Sequence, residues 1–198
     1  EAVDAGVWFH TCRGYAGINN FNVLGRAFRE DPDHVPPCMC KIRCYNADTI
    51  RIDVEDTRAL LGKDRVEVAQ LSTRSGERKE IVDDFLAEGP MWQACCELRK
   101  AGHVGSVLLE VVVSCSEEGL RAVENDLFDG YGTYFSVLAR EVSNPLWRAI
   151  RERGAPLVSI CSIAGGKVIP AVAERLAAEQ PDHYILPRRA GLVPIFER

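Results

Sequence analysis

The sequence predicts an α/β or α+β fold, a mixed sheet with helices packed on it, and three observations carry that expectation. Residues 107–113 read VLLEVVV, a nearly continuous β-branched run of the kind found in a central strand covered on both faces. A second apolar run, LVSIC at 157–161, leads through two glycines into an amphipathic stretch, so strand and helix alternate as they do in layered α/β proteins. Residues 38–54 instead alternate polar and apolar side chains, the period of strands with one face exposed. The expected organisation is a single domain over 1–198, with a strand-rich part over 1–75 and an alternating part over 77–198.

Taken in order, residues 6–12 form a short strand, residues 13–20 a loop, and residues 21–29 a short amphipathic helix. The prolines at 32, 36 and 37 make 31–37 a connector, because a residue before proline is pushed out of helical geometry. Residues 38–44, CMCKIRC, form an amphipathic strand with Cys38, Cys40, Ile42 and Cys44 on one face. A turn at 46–48 and a second strand over 49–54 complete a hairpin. Residues 57–61 make a helical turn and 65–72 a strand. Helices follow over 77–87, with Ile81, Val82, Phe85 and Leu86 on one stripe, and over 91–100, closed by Gly102. After the strand at 105–115, Ser116 with Glu117 and Glu118 opens a helix, where acids suit the N-terminus. The run 126–134 reads first as an Asp-Gly turn. Pro145 stands at a first helical position. The strand 157–161, a helix over 168–179 and short strands at 184–186 and 192–196 end the chain.

The chain has 198 residues, 46% apolar and 27% charged, enough to bury a sizeable core. Its net charge of −5 argues against a nucleic-acid polymer as partner, since phosphate binding needs clustered Lys and Arg. Its apolar runs fall far short of the ~20 residues that cross a bilayer, so no membrane is expected. The first residue is Glu1 rather than Met, which fits a trimmed leader or an upstream domain.

Eight cysteines are too sparse for a disulfide scaffold in a chain of this length, and no Asn-x-Ser/Thr acceptor occurs. A reducing compartment such as the cytoplasm is favoured over secretion. His34, Cys38, Cys40 and Cys44 have zinc-ligand chemistry. On a strand, however, Cys40 and Cys44 stand about 13 Å apart, too far to share a tetrahedral ion, so buried thiols and no metal are expected here.

The strand, glycines and helix at 156–179 concentrate the chemistry. Ser162 offers a hydroxyl, Gly165 and Gly166 permit close backbone approach, and Lys167 adds a cation, a combination suited to an anion beside a helix N-terminus. Cys161, at the strand end, is a candidate nucleophile, whose base would be His10, His34, His103 or His183. The stretch LVSICSIAGGKVIPAVAERLA with the later HYILP resembles the glycine-glycine segment of CRISPR-associated Rossmann-like sensor domains. That resemblance implies a cyclic oligoadenylate bound along Gly165, Gly166 and Lys167. NPLWRAIRERGAPLVSICS resembles the nucleophile-elbow region of DJ-1/PfpI-like proteins, which implies Cys161 as the elbow residue.

The leading functional expectation is therefore a sensor-type domain with a Rossmann-like alternating C-terminal part, recognising a small anionic or nucleotide ligand at Ser162, Gly165, Gly166 and Lys167, with no resident cofactor. Two alternatives stand beside it. One is an assembly or effector subunit that meets a protein partner or a second copy. The other is a cysteine-nucleophile enzyme using Cys161.

Overall fold

The computed structural model describes residues 6–15, 19–72, 78–135, 143–160 and Ala178. The described elements run β1 (Phe9–Cys12), α1 (Asn19–Glu30), a short 3-10 turn (Pro32–His34), β2 (Cys38–Ile42), α2 (Ala47–Leu61), β3 (Val66–Leu71), α3 (Arg78–Leu86), α4 (Pro90–Lys100), β4 (Val104–Glu110), α5 (Ser116–Glu124), β5 (Gly130–Tyr134), α6 (Asn144–Arg153) and β6 (Leu157–Ile160). The α/β class expected from the sequence is the class found.

The six strands form one sheet in the order β1-β2-β3-β4-β5-β6. The pairings from β1 to β5 are all parallel, so within the α/β class the sheet is parallel rather than mixed there. Sequence order and spatial order coincide, as in successive units of a (β/α) barrel. Among the described strands the order contains no reversal of the kind that forms the ligand crevice of a doubly wound sheet.

The expected strand-rich amino-terminal half is not formed, since β1, α1, β2, α2 and β3 alternate as the later elements do. The hairpin over 38–54 is replaced by β2 and a 15-residue helix, α2. Ile50 and Val54 are buried under either reading, because four residues apart serves both a strand face and a helix face. Capping decides the matter. The Asn46 carboxamide oxygen accepts from Thr49 N at 2.8 Å, an N-cap, and Gly62 closes the helix at φ +66°. Ile52, which a strand over 49–54 would place on one face with Ile50 and Val54, is exposed.

The run read as an Asp-Gly turn contains β5. Its glycines answer close neighbours rather than a turn. A Cβ on Gly130 would stand 2.8 Å from the Pro156 carbonyl oxygen, and one on Gly132 would press on the Gln70 amide at 3.3 Å.

Register separates two sheet faces. Cys40, Ala69 and Val107 stand in line on one face, as do Ile42, Leu71, Leu109 and Tyr131, and these side chains are buried in the core built with the helices. Phe21 and Phe28 of α1, Ile50, Val54 and Leu61 of α2, Phe85 of α3 and Leu146 of α6 belong to that core. The other face carries the line His10, Met39, Val68, Ser106 and, nearer the strands' carboxyl ends, the line Cys12, Lys41, Gln70, Leu108, Gly130.

The chain divides into two compact units, Glu1–Gly132 with Val142–Val158, and Thr133–Glu141 with Ser159–Arg198. In the second, Phe135 N donates to Ile160 O at 3.1 Å and Ser159 Oγ donates to Phe135 O at 2.6 Å. No helix among the described residues is long and apolar enough to cross a membrane.

Candidate functional site at the carboxyl ends of the strands

Parallel strands point their carboxyl ends the same way, so polar residues at those ends collect even when they are far apart in sequence. Lys41 and Gln70 are the penultimate residues of β2 and β3, and Glu110 is the last of β4. Lys41 and Gln70 are in register, which places their side chains on one face of adjacent strands. Glu110 bridges them: its Oε2 accepts from Lys41 Nζ at 2.7 Å and from Gln70 Nε2 at 2.6 Å. Arg78, the first residue of α3, donates from Nε to the Glu110 carbonyl oxygen at 2.9 Å, and its guanidinium lies 3.8 Å from Oε1.

All of these groups are secluded. The side chains of Lys41, Glu110 and Arg78 are 14%, 7% and 2% exposed, and Gln70 is fully buried. A buried charge is tolerated only when paired and hydrogen-bonded, and the geometry meets that condition. Burial pushes the Glu110 carboxyl toward protonation, but the hydrogen bond and charge of Lys41, with the Ser72 hydroxyl and the Arg78 charge, outweigh it and hold the group below its ordinary value.

His10 sits beside this network on β1. Burial, reinforced by the Lys41 charge, lowers its pKa, while Gln70 and Glu110 act in the opposite sense. Imidazole is therefore neutral at pH 7, able both to donate and to accept a proton. Its ring meets Tyr15 edge to face, with centroids 6.3 Å apart. His10 also lines two cavities of about 500 Å³. One continues over Met39, Val68, Ser106, Leu108 and Val158; the other lies against Thr11, Tyr15 and Asn20. Their size is that of small-molecule pockets.

Of the residues singled out by sequence, His10 belongs to this group. Cys161, Ser162, Gly165, Gly166, Lys167 and His183 lie outside the described residues. His34 is exposed, with Nδ1 2.8 Å from Asp31 Oδ1. Cys38, Cys40 and Cys44 are buried, with Cys44 beyond the end of β2 rather than on it. Burial raises the Cys40 thiol and pushes Cys38 up to about 11. No group of three metal-binding side chains occurs among the described residues. His103 follows α4, its backbone N donating to Leu98 O at 2.9 Å. Lys41, Gln70, Glu110 and Tyr15 escaped the sequence reading. The available signal was polar residues at the ends of β-patterned runs, above all the one acid inside VLLEVVV.

No protein-family model matches the chain, and no curated protein matches it significantly. Solved structures do. A Pseudomonas aeruginosa protein assigned to the aldo-keto reductases superposes with a TM-score of 0.66 at 21% identity, over 91% of this chain and 70% of its own. A protein assigned as 2,5-diketo-D-gluconic acid reductase B gives 0.63 at 19%, over 91% and 62%. An aldo-keto reductase from Klebsiella pneumoniae in complex with NADPH gives 0.62 at 15%, over 82% and 55%. At these identities the likeness is one of fold, a run of (β/α) units.

Proposed function

We propose that the chain is the core of a carbonyl-reducing (β/α) domain whose ligand sits at the carboxyl ends of β1–β4. The observation that carries this reading is the assembly of Lys41, Gln70 and Glu110 at the carboxyl ends of three successive strands, where such folds bind ligands, with His10 on β1 one register line closer to the amino ends. The solved structures of like fold support it, one of them holding NADPH.

Reduction of a carbonyl places negative charge on its oxygen and requires one proton there. Lys41 supplies fixed positive charge, held in place by Glu110. The Tyr15 hydroxyl and the His10 imidazole are the groups beside the cavities able to deliver the proton. A nicotinamide dinucleotide, when bound, supplies hydride. The cavity beside His10, walled by Met39, Val68, Leu108 and Val158 with Ser106 as a polar contact, has the size and apolar lining for its ring and extends toward the strands' amino ends, where Trp8, Asp129 and Pro156 precede β1, β5 and β6. As a separate proposal, Ser162, Gly165, Gly166 and Lys167, which follow β6 in sequence, bind an anionic ligand. Their residue types support that role.

Incubation of the purified chain with NADPH and a panel of aldehydes and ketones tests the proposal. Carbonyl-dependent loss of the reduced nicotinamide absorbance is expected, with kcat reduced about a hundredfold or more in Tyr15→Phe or His10→Phe. Absence of NADPH binding, together with no NADPH consumption by any carbonyl, would overturn it.

A further inference from the structure

Gly132 lies within β5, in register with Glu110 of β4, and is buried. A glycine inside a strand weakens it, and it often marks the close approach of another group. Here the Gln70 amide makes that approach. A Cβ on Gly132 would meet the amide carbon at 3.3 Å, Oε1 at 3.4 Å and Nε2 at 3.5 Å. Three atoms of one plane at nearly equal distances place the amide flat over the glycine. Neither partner is free to withdraw. The Gly132 carbonyl oxygen accepts from Val111 N at 2.8 Å, and Gln70 is fully buried with Nε2 donating to Glu110 Oε2 at 2.6 Å.

We propose that Gly132 is a positioning residue of the site: its bare backbone seats the Gln70 amide where Nε2 donates to Glu110, and through that carboxylate keeps Lys41 in place. The inference takes its catalytic meaning from the reductase reading, but the seating itself does not depend on that reading.

Gln70 Nε2 and Lys41 Nζ share one carboxylate oxygen, at 2.6 Å and 2.7 Å. An N–H donated to that oxygen favours the ionised carboxyl, which is the form that pairs with Lys41. The other groups facing Glu110 are Arg78 from α3, His10 from β1, Ser72 after β3 and the Cys115 thiol, which burial keeps protonated. The nearest atoms to a side chain at position 132 are all the amide's, so a substitution there acts on Gln70 first. Gly132 and Gln70 touch no reacting atom in this scheme. Both act through Glu110.

Carbon-13 NMR of the glutamate-labelled chain, without cofactor or substrate, reads the Glu110 titration, assigned by its absence in Glu110→Gln. Gly132→Val should raise the proton affinity of Glu110 about tenfold, the effect of losing one hydrogen bond to a charged group. Gly132→Ala, which asks the amide to yield only slightly, should raise it less. In a Gln70→Ala background, where the seat is already vacated, Gly132→Val should leave that affinity unchanged. A Glu110 titration unmoved by Gly132→Val in a folded protein, or moved equally with and without the Gln70 amide, would overturn the proposal. If Gly132→Val alone does not fold, recovery of the fold on adding Gln70→Ala supports the seat, and failure to recover overturns it. Failure of NADPH to bind would sink the reductase reading and leave the titration result standing.

Discussion

At the scale of single residues, the Lys41–Glu110 pair is where the molecule is most exposed to change, since both charges are nearly out of water. Lys41→Met should destabilise the fold by about 3–5 kcal/mol because it strands the Glu110 carboxylate, whereas Lys41→Met combined with Glu110→Leu should cost far less; urea unfolding of the two variants compares them. Glu110 also sets a pH dependence. Its folded pKa is depressed, so its stabilisation is present above the ordinary carboxyl value and is lost as pH falls through the lower folded value. Thermal melts below pH 5 should therefore fall more steeply for wild type than for Glu110→Gln. The thiols offer a second check. Cys38 is pushed up to about 11 and Cys95 to about 12 by burial, while Cys96 is exposed. Iodoacetamide at neutral pH should label Cys96 and spare Cys38 and Cys95 in the native chain. Cys40→Ser should cost about 1–3 kcal/mol by burying a hydroxyl, and Cys40→Val should be milder.

At the scale of elements, the instructive case is the segment after β2. Its alternation suited a strand, and the burial of Ile50 and Val54 suited both a strand and a helix. The cap residues, Asn46 and Gly62, spoke for the helix, and they flank the run 49–54 that alternates as a strand does. Asn46→Ala should lower stability by about 0.5–2 kcal/mol through loss of that cap, a loss that a hairpin would not show. The crossing of α1 on α2 makes a sharper demand. A Cβ on Gly25 would reach to 1.9 Å from the Leu60 carbonyl oxygen, and backbone cannot yield as a side-chain tip can. Gly25→Ala should therefore destabilise by roughly 1–3 kcal/mol or more, although alanine is the better helix former. A melting temperature at or above that of wild type would contradict this packing.

At the scale of the whole molecule, the central apolar strand and its following helix were legible because VLLEVVV and Ser116-Glu117-Glu118 state their preferences locally. Strand order is not local, and the site depends on it. Lys41 and Gln70 read as the polar members of two separate strands until parallel register sets them side by side, and Glu110 reads as an oddity until it reaches Lys41. The glycines after β6 drew attention because phosphate-binding loops have a one-dimensional signature, while a polar group gathered from several strands has none. Hydrogen exchange with and without NADPH tests the location of that site most directly. The account predicts slowed exchange in peptides spanning residues 8–15, 38–43, 68–72 and 106–111, with the outward side of α2 unchanged. NADPH binding that leaves those peptides unprotected, or protects only the helices, would contradict it.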